Sequence, residues 1–237
     1  MKIFKLFIAI SLLFISSGLL YAEETKEYKL DVADFTELKV NDHLNVEYRC
    51  SADSAGMILF RCTPDIAQQL IFTSNKSCLK IEVSDDYDYA GEEPMIRVYS
   101  SMLEKVENGS DSTIRVISNV PLKSFKARVI GNGTIVIDQL ESASVYLSVV
   151  TGHGHIMVAN GSTFKAKYYD VGTGTIQAGG LKASEVKAVI SGTGNIDCNV
   201  TENLSIYGMG SGSVYYSGNP EKISNRSVGV KAYPVKE

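Results

Sequence analysis

Tryptophan is absent from the 237 residues, proline occurs only five times, and basic residues are not in excess: 23 Lys and Arg stand against 27 Asp and Glu, a formal net charge of −4. The charge balance leaves no basic stripe, which argues against nucleic acid as a partner. Without tryptophan, any aromatic platform falls to phenylalanine and to the thirteen tyrosines. Few windows carry a helical period. After residue 20 no apolar run approaches the roughly 20 residues that a membrane helix needs, so no stable membrane insertion is expected.

The one long apolar run is at the start. Lys2 and Lys5 precede Leu6 to Leu20, and Leu20-Tyr21-Ala22 ends in a small residue. A basic start, an apolar stretch and a small-residue exit describe a secretory signal peptide. The expectation is a signal peptide over residues 1–22, cleavage after Ala22 and a soluble mature chain, 23–237, forming a single domain. No cysteine lies at the cleavage region, which argues against a bacterial lipid anchor. Export permits disulfides among Cys50, Cys62, Cys78 and Cys198, and sequence does not choose their pairing. A Cys62–Cys78 bridge is the first to test. Cys198 reads instead as a small core residue.

What is abundant is glycine, with Val, Ile, Thr and Tyr at alternate positions, a mixture that reads as strands separated by turns. Residues 23–105 look irregular. Phe35 to Val40, Leu44 to Tyr48, Met57 to Phe60, Leu79 to Val83 and Met95 to Tyr99 alternate as strands. Thr63-Pro64-Asp65 reads as a helix start with Thr63 as cap and Pro64 at the first helical position. From 106 to 217 a repeat is explicit. Its copies begin at Ser110, Gly131, Gly152, Gly172, Gly192 and Gly210, with spacings of 21, 21, 20, 20 and 18. The pattern is G-x-G-x-I-x-Φ, where Φ is usually apolar. Its corner glycines are Gly131 and Gly133, Gly152 and Gly154, Gly172 and Gly174, Gly192 and Gly194, and Gly210 and Gly212; the first copy has Ser110 and Ser112 instead.

The fifth column (Ile114, Ile135, Ile156, Ile176, Ile196, Val214) and the seventh (Val116, Ile137, Val158, Ala178, Cys198, Tyr216) lie two residues apart and share one strand face. A second strand precedes each glycine pair, as in Phe125 to Val129 and Val186 to Ile190. Glycine at the corner supplies positive φ or close backbone approach. The fold class is therefore all-β. A β-helix-like solenoid with coils of about 20 residues explains why identical residue types recur in register. An antiparallel β-sandwich of hairpins is the alternative.

Candidate sites weigh lightly against ordinary structural roles. The glycine pairs lack the following helix of a dinucleotide cradle. His153 and His155 have no evident third ligand for a metal. Asp85, Asp86, Asp88, Glu92 and Glu93 form an acidic loop without the spacing of a calcium loop. Neither Asp170 nor Asp197 has a carboxylate partner in its column, as a glycosidase would require. The corner residues Asn132, Thr173, Thr193 and Ser211 read first as turn chemistry. The candidate ligand contacts are Tyr87, Tyr89, Tyr169, Tyr207 and Tyr215, as flat platforms for sugar rings. No catalytic residue, cofactor or metal is expected.

The serial G-x-G-x-I units, with Gly194-Asn195-Ile196, Phe35 to Val40 and the closing Tyr216-Ser-Gly-Asn-Pro220, resemble the bacterial autotransporter-adhesin head domain, or GIN domain, over residues 35 to 232. Ser227-Val-Gly-Val230 departs from the expected glycine pair. The resemblance implies a right-handed β-helix-like fold, export in Gram-negative bacteria and an adhesive or binding role. It brings no catalytic residues. The resulting expectation is a non-enzymatic binding or adhesion module in the periplasm, at the cell surface or outside the cell. Its partner would be a cell-surface glycan or protein. A polysaccharide-active β-helix enzyme and a self-assembling, homo-oligomeric envelope protein are the alternatives.

Overall fold

The computed structural model describes residues 25–86 and 93–235. Along the chain these form β1 (Lys26–Asp31), β2 (Glu37–Val40), β3 (Val46–Cys50), β4 (Met57–Cys62), α1 (Pro64–Gln69), β5 (Leu70–Asn75), β6 (Cys78–Val83), β7 (Ile96–Ser100), β8 (Lys105–Asn108) and β9 (Thr113–Val116). They continue as β10 (Leu122–Val129), β11 (Thr134–Ile137), β12 (Leu140–Val149), β13 (His155–Val158), β14 (Gly161–Gly172), β15 (Thr175–Gly192), β16 (Asn195–Gly210), β17 (Ser213–Ser217), β18 (Lys222–Val228) and β19 (Lys231–Pro234).

Successive coils pair in parallel, one above the next, which makes the fold a β-solenoid with coils of about 20 residues. The pairing excludes the hairpin sandwich, because a hairpin would set neighbouring strands antiparallel. Two stacks run the length of the molecule. One consists of β6, β2, β8, β10, β12, β14, the later part of β15, the later part of β16 and β18. The other consists of β7, β3, β9, β11, β13, the start of β15, the start of β16, β17 and β19. We call these the first and second faces. β15 and β16 each run through a corner from one face to the other, with a register shift between Ala178 and Lys182.

The core lies between the faces. On the second face, Ile96, Val46, Ile114, Ile135, Ile156, Ile176, Ile196, Val214 and Ala232 stand one above another. All but Ala232, in the last coil, are buried. Cys198 is likewise buried, and burial pushes its thiol up to about 12. It is a core residue, as its column implies.

The two glycines of each corner do different work. Gly192, the first of its pair, has φ +135°, and a Cβ there would run into the backbone carbonyl of Gly172 in the neighbouring coil. Gly194, the second, has no such φ; a Cβ on it would meet the Asp170 carboxylate and come within 2.7 Å of the Gly174 carbonyl oxygen. Both glycines allow the coils to close on each other, and the first also allows the turn.

The segment before the obvious repeats belongs to the same stack, but out of chain order. The β2–β3 coil lies between the β6–β7 coil and the β8–β9 coil. Between the two visits the chain builds an end cap. β5 pairs antiparallel with β6, β4 pairs antiparallel with β7, and β1 covers β4. α1 joins β4 to β5 and buries Ile66; Thr63 occupies its N-cap position without a side-chain capping bond. This end therefore presents no bare rung of the main stack, the usual protection of a solenoid. At the far end β18 and β19 pair on one side only, and Ile223, stacked on the buried Leu204, is 44% exposed.

All four cysteines are free, so the Cys62–Cys78 bridge is corrected. Cys62 faces the interior from the capping strand β4. Cys78 stands beside Glu37 on β2, on the outward side of the first face.

Candidate binding face

The outward side chains of the first face fall into columns set by the register. One column reads Lys105, Lys126, Tyr146, Lys167, Lys187, Ser205, and its neighbour reads Glu107, Arg128, Ser148, Tyr169, Val189, Tyr207. Strand alternation puts both outside, because Ala127, Leu147, Tyr168, Ala188 and Ile206 between them point into the core. Two residues of the first column lean towards the second-column residue one coil further on. The Tyr146 and Tyr169 rings are 5.2 Å apart at 31°, and the Lys187 ammonium lies 4.8 Å from the Tyr207 ring centroid. Both are attractive arrangements for aromatic groups.

The charge on this face is graded. In the first coils the cations are answered: Lys39 and Arg128 lie 3.4 and 3.7 Å from Glu107, and Lys105 lies 3.4 Å from Glu37. Further along, Lys165 pairs with Glu185 at 3.3 Å. Lys126, Lys167 and Lys187 are exposed and have no carboxylate within ion-pair distance among the described residues. At the edge of the face Phe164 is 52% exposed, with the Lys165 ammonium 5.4 Å from its ring centroid. Two shallow, open depressions of about 280 and 340 Å³ flank Phe164 and are floored by Ser142, Ser162, Thr163 and Ala183. β14 thus carries Lys165, Lys167 and Tyr169 across the middle of one flat surface, with Phe164 at its edge.

Of the tyrosines singled out by sequence, Tyr169 and Tyr207 share a column of this face, with Val189 between them. Tyr215 is on the second face, stacked on Tyr233 at 5.6 Å, and does not join them. Tyr87 and Tyr89 lie outside the described residues, as do Asp88 and Glu92 of the acidic loop. Tyr146, Phe164 and the lysines were not among the sequence candidates. Their common column is obscured in the text because the coil of β12 has one extra residue before its glycine: Val149 precedes Gly152 by three positions, whereas Val129, Asp170 and Ile190 precede theirs by two.

The other polar candidates serve the coil-to-coil contacts. Asn132 accepts the His153 backbone N–H at 3.0 Å, the Thr173 hydroxyl donates to the Gly152 carbonyl at 2.9 Å, and His153 and His155 bond to Thr173 and Gln177 of the next coil. In the repeat coils two inward groups are left without partners among the described residues, the Tyr168 hydroxyl and the Asp170 carboxylate, both fully buried. Burial pushes Tyr168 well up, with Cys198 and Asp197 adding to the shift.

The family model described as "Putative auto-transporter adhesin, head GIN domain" matches residues 34–220. The chain belongs to this family. Crystal structures show the same architecture at low identity, and so speak for the fold alone. A "putative adhesin" from Bacteroides fragilis is 20% identical with a TM-score of 0.81, covering 90% of this chain and 98% of its own. A second "putative adhesin", from Parabacteroides merdae, is 17% identical with a TM-score of 0.75 over 91% and 98%. A "putative lipid binding protein" from Parabacteroides distasonis is 18% identical with a TM-score of 0.72, again over 91% and 98%. No curated protein matches the chain significantly. No helix among the described residues is long and apolar enough to cross a membrane.

Proposed function

We propose that this GIN-domain protein is an exported, non-enzymatic binding module of the bacterial cell envelope, and that it holds its partner on the first face. The observation that carries the reading is the concentration of half-buried tyrosine rings, the exposed Phe164 ring and unpaired ammonium groups on one flat surface of a rigid stack. The family description as an adhesin head supports an adhesive role. A module of this kind uses the solenoid as a ruler, presenting one rung of side chains per coil, about 4.8 Å apart. What the face offers is contact area, hydroxyls and positive charge, which are means of holding a ligand and not of cleaving one. Export rests on the signal-peptide pattern of residues 1–22.

Probing glycan and protein arrays with the full-length product purified from a Gram-negative host tests the binding reading. Binding that falls with Tyr169→Ala or Tyr207→Ala, and survives Tyr233→Ala on the other face, is the expected result. Ligands that bind equally well to all of these variants would move the site elsewhere. Turnover of any polymer would overturn the non-enzymatic assignment. Mass spectrometry of the same preparation should show a chain beginning at Glu23; a product retaining Met1 to Ala22 would remove the export reading.

A further inference from the structure

The chemistry of the first face narrows the ligand class, on the premise that this face is where the protein binds. We propose that it takes an extended chain of an acidic polysaccharide, one bearing carboxylate or sulfate groups. The rings would lie along the solenoid axis over Tyr146, Tyr169 and Tyr207, with the anionic groups on Lys167 and Lys187.

Three features of the surface point there. First, aromatic and cationic side chains are interleaved. Tyr146 sits between Lys126 and Lys167 in one column, and Tyr207 lies diagonally beside Lys187. A tyrosine ring offers a flat apolar face with a hydroxyl at its rim, matched to the apolar face and equatorial hydroxyls of a pyranose. An ammonium on the adjoining rung supplies a counter-charge one coil away. Second, the rungs repeat at the strand spacing, about 4.8 Å, close to the advance of one sugar unit in an extended chain. Successive sugars therefore meet successive coils, and no groove is needed. Third, the positive charge is local. The whole chain is at −4, and the flanking cations Lys39, Arg128 and Lys105 are already paired with carboxylates. A duplex nucleic acid or an anionic bilayer would need a wide basic field, which this surface lacks. An acidic peptide is held by clustered guanidinium groups, whereas Arg128 of this face is already paired with Glu107.

The test is a binding titration of the full-length protein against polygalacturonate, a chondroitin sulfate, neutral dextran, polyglutamate and phosphatidylglycerol vesicles. It is run at two salt concentrations with wild type, Lys167→Gln/Lys187→Gln, Tyr169→Ala and the second-face control Tyr233→Ala. Thermal unfolding first confirms that each variant folds. The expected result is binding to one or both acidic glycans that weakens with salt, falls on the order of tenfold in the double lysine variant, and falls roughly three- to tenfold in Tyr169→Ala. The Tyr233→Ala control should bind as wild type does.

Equal affinity for polyglutamate or for the vesicles, indifferent to Tyr169→Ala, would overturn the proposal in favour of simple charge attraction. Binding of dextran that depends on Tyr169 and ignores both lysines would keep the face as the site and remove the acidic specificity. Absence of binding to all five, together with array ligands that do depend on Tyr169, would likewise end the acidic-glycan assignment alone. Array ligands indifferent to every first-face variant would end the underlying reading.

Discussion

Asn108 and Asp170 occupy the same seat in the stack, three coils apart, joined through Val129 and Val149 in one inward column. The Asn108 side chain fastens its corner. Its amide donates to the Ser112 and Thr134 carbonyls at 2.8 and 3.0 Å, and its oxygen accepts the Ser110 N–H and hydroxyl at 3.1 and 2.9 Å. A glycine of the next coil rests against each side chain, Gly133 on Asn108 and Gly194 on Asp170. Asp170 has no comparable donors. It is fully buried without a hydrogen-bond partner, close to the Gly174 carbonyl. Burial pushes its carboxyl up to about 6.

Asp170→Asn should therefore stabilise the protein at neutral pH. The folded-state pKa, about 6, lies above the ordinary 3.8, so the folded chain holds the proton more tightly. The contribution to stability is fully present below about pH 4, is lost as pH rises through 6, and amounts to on the order of 3 kcal/mol. Urea unfolding across pH 4 to 8 should show wild type weakening over that window and the asparagine variant holding level. A variant that is no more stable than wild type at pH 7 would mean that the ionised carboxylate is accommodated in the fold.

The paired glycines give a graded prediction. Gly131 has φ +107°, but its added Cβ would meet only the Ser110 carbonyl, at 3.9 Å. Gly192 combines positive φ with a clash against the Gly172 backbone. Gly131→Ala should cost about 1–2 kcal/mol from left-handed strain, and Gly192→Ala about 3 kcal/mol or more once overpacking is added. Paired chemical denaturation curves would rank the two; equal losses would show that the close approach relaxes freely.

Inside and outside are separated by single residues, and mutation should show it. Ile156 is fully buried, while Met157 beside it is 36% exposed. Ile156→Ala should cost about 2–5 kcal/mol as a cavity in the stack, whereas Met157→Ala should stay within about 0.5 kcal/mol. Thermal melts of both variants would check the register directly.

The coils from 106 to 217 were legible because five of the six copies carry a glycine corner and all six carry the apolar fifth column, so one argument served throughout. The earlier coils were legible as strands but not as members of the stack. Their corners contain no glycine pair: β2 and β3 are joined through Asp42 at φ 63°, and β6 and β7 through a long connection. Nothing in local patterning says that β6 and β7 fold beneath β2 and β3, because that order is decided by the hydrogen bonds of distant strands. The proposed binding face was half legible for a related reason. Tyr169 and Tyr207 are conspicuous as single residues, but an outward column exists only once coils are set in register. The extra residue before Gly152 shifts Tyr146 out of line with Lys126 and Lys167.

The two ends of the stack should differ in how readily they open. At one end β1, β4 and β5 cover the β6–β7 coil, and its inward residues Leu79, Ile81, Ile96 and Val98 are fully buried. At the other, Ile223 and Val228 on β18 and Tyr233 on β19 are 44%, 67% and 41% exposed, and each strand has a neighbour on one side only. In a solenoid each coil is held mainly by its neighbours, so stability is a sum of local terms and a coil with one neighbour lacks an interface. Opening free energies then grade along the axis, from fraying at the terminus to global unfolding in the interior. Amide hydrogen exchange read by mass spectrometry should show β18 and β19 exchanging first, β16 and β17 next, and the peptides of β12 to β15 last. Uniform protection along the chain would instead mean that the last coil is covered in solution, and exchange at several protein concentrations would then reveal whether a second copy covers it.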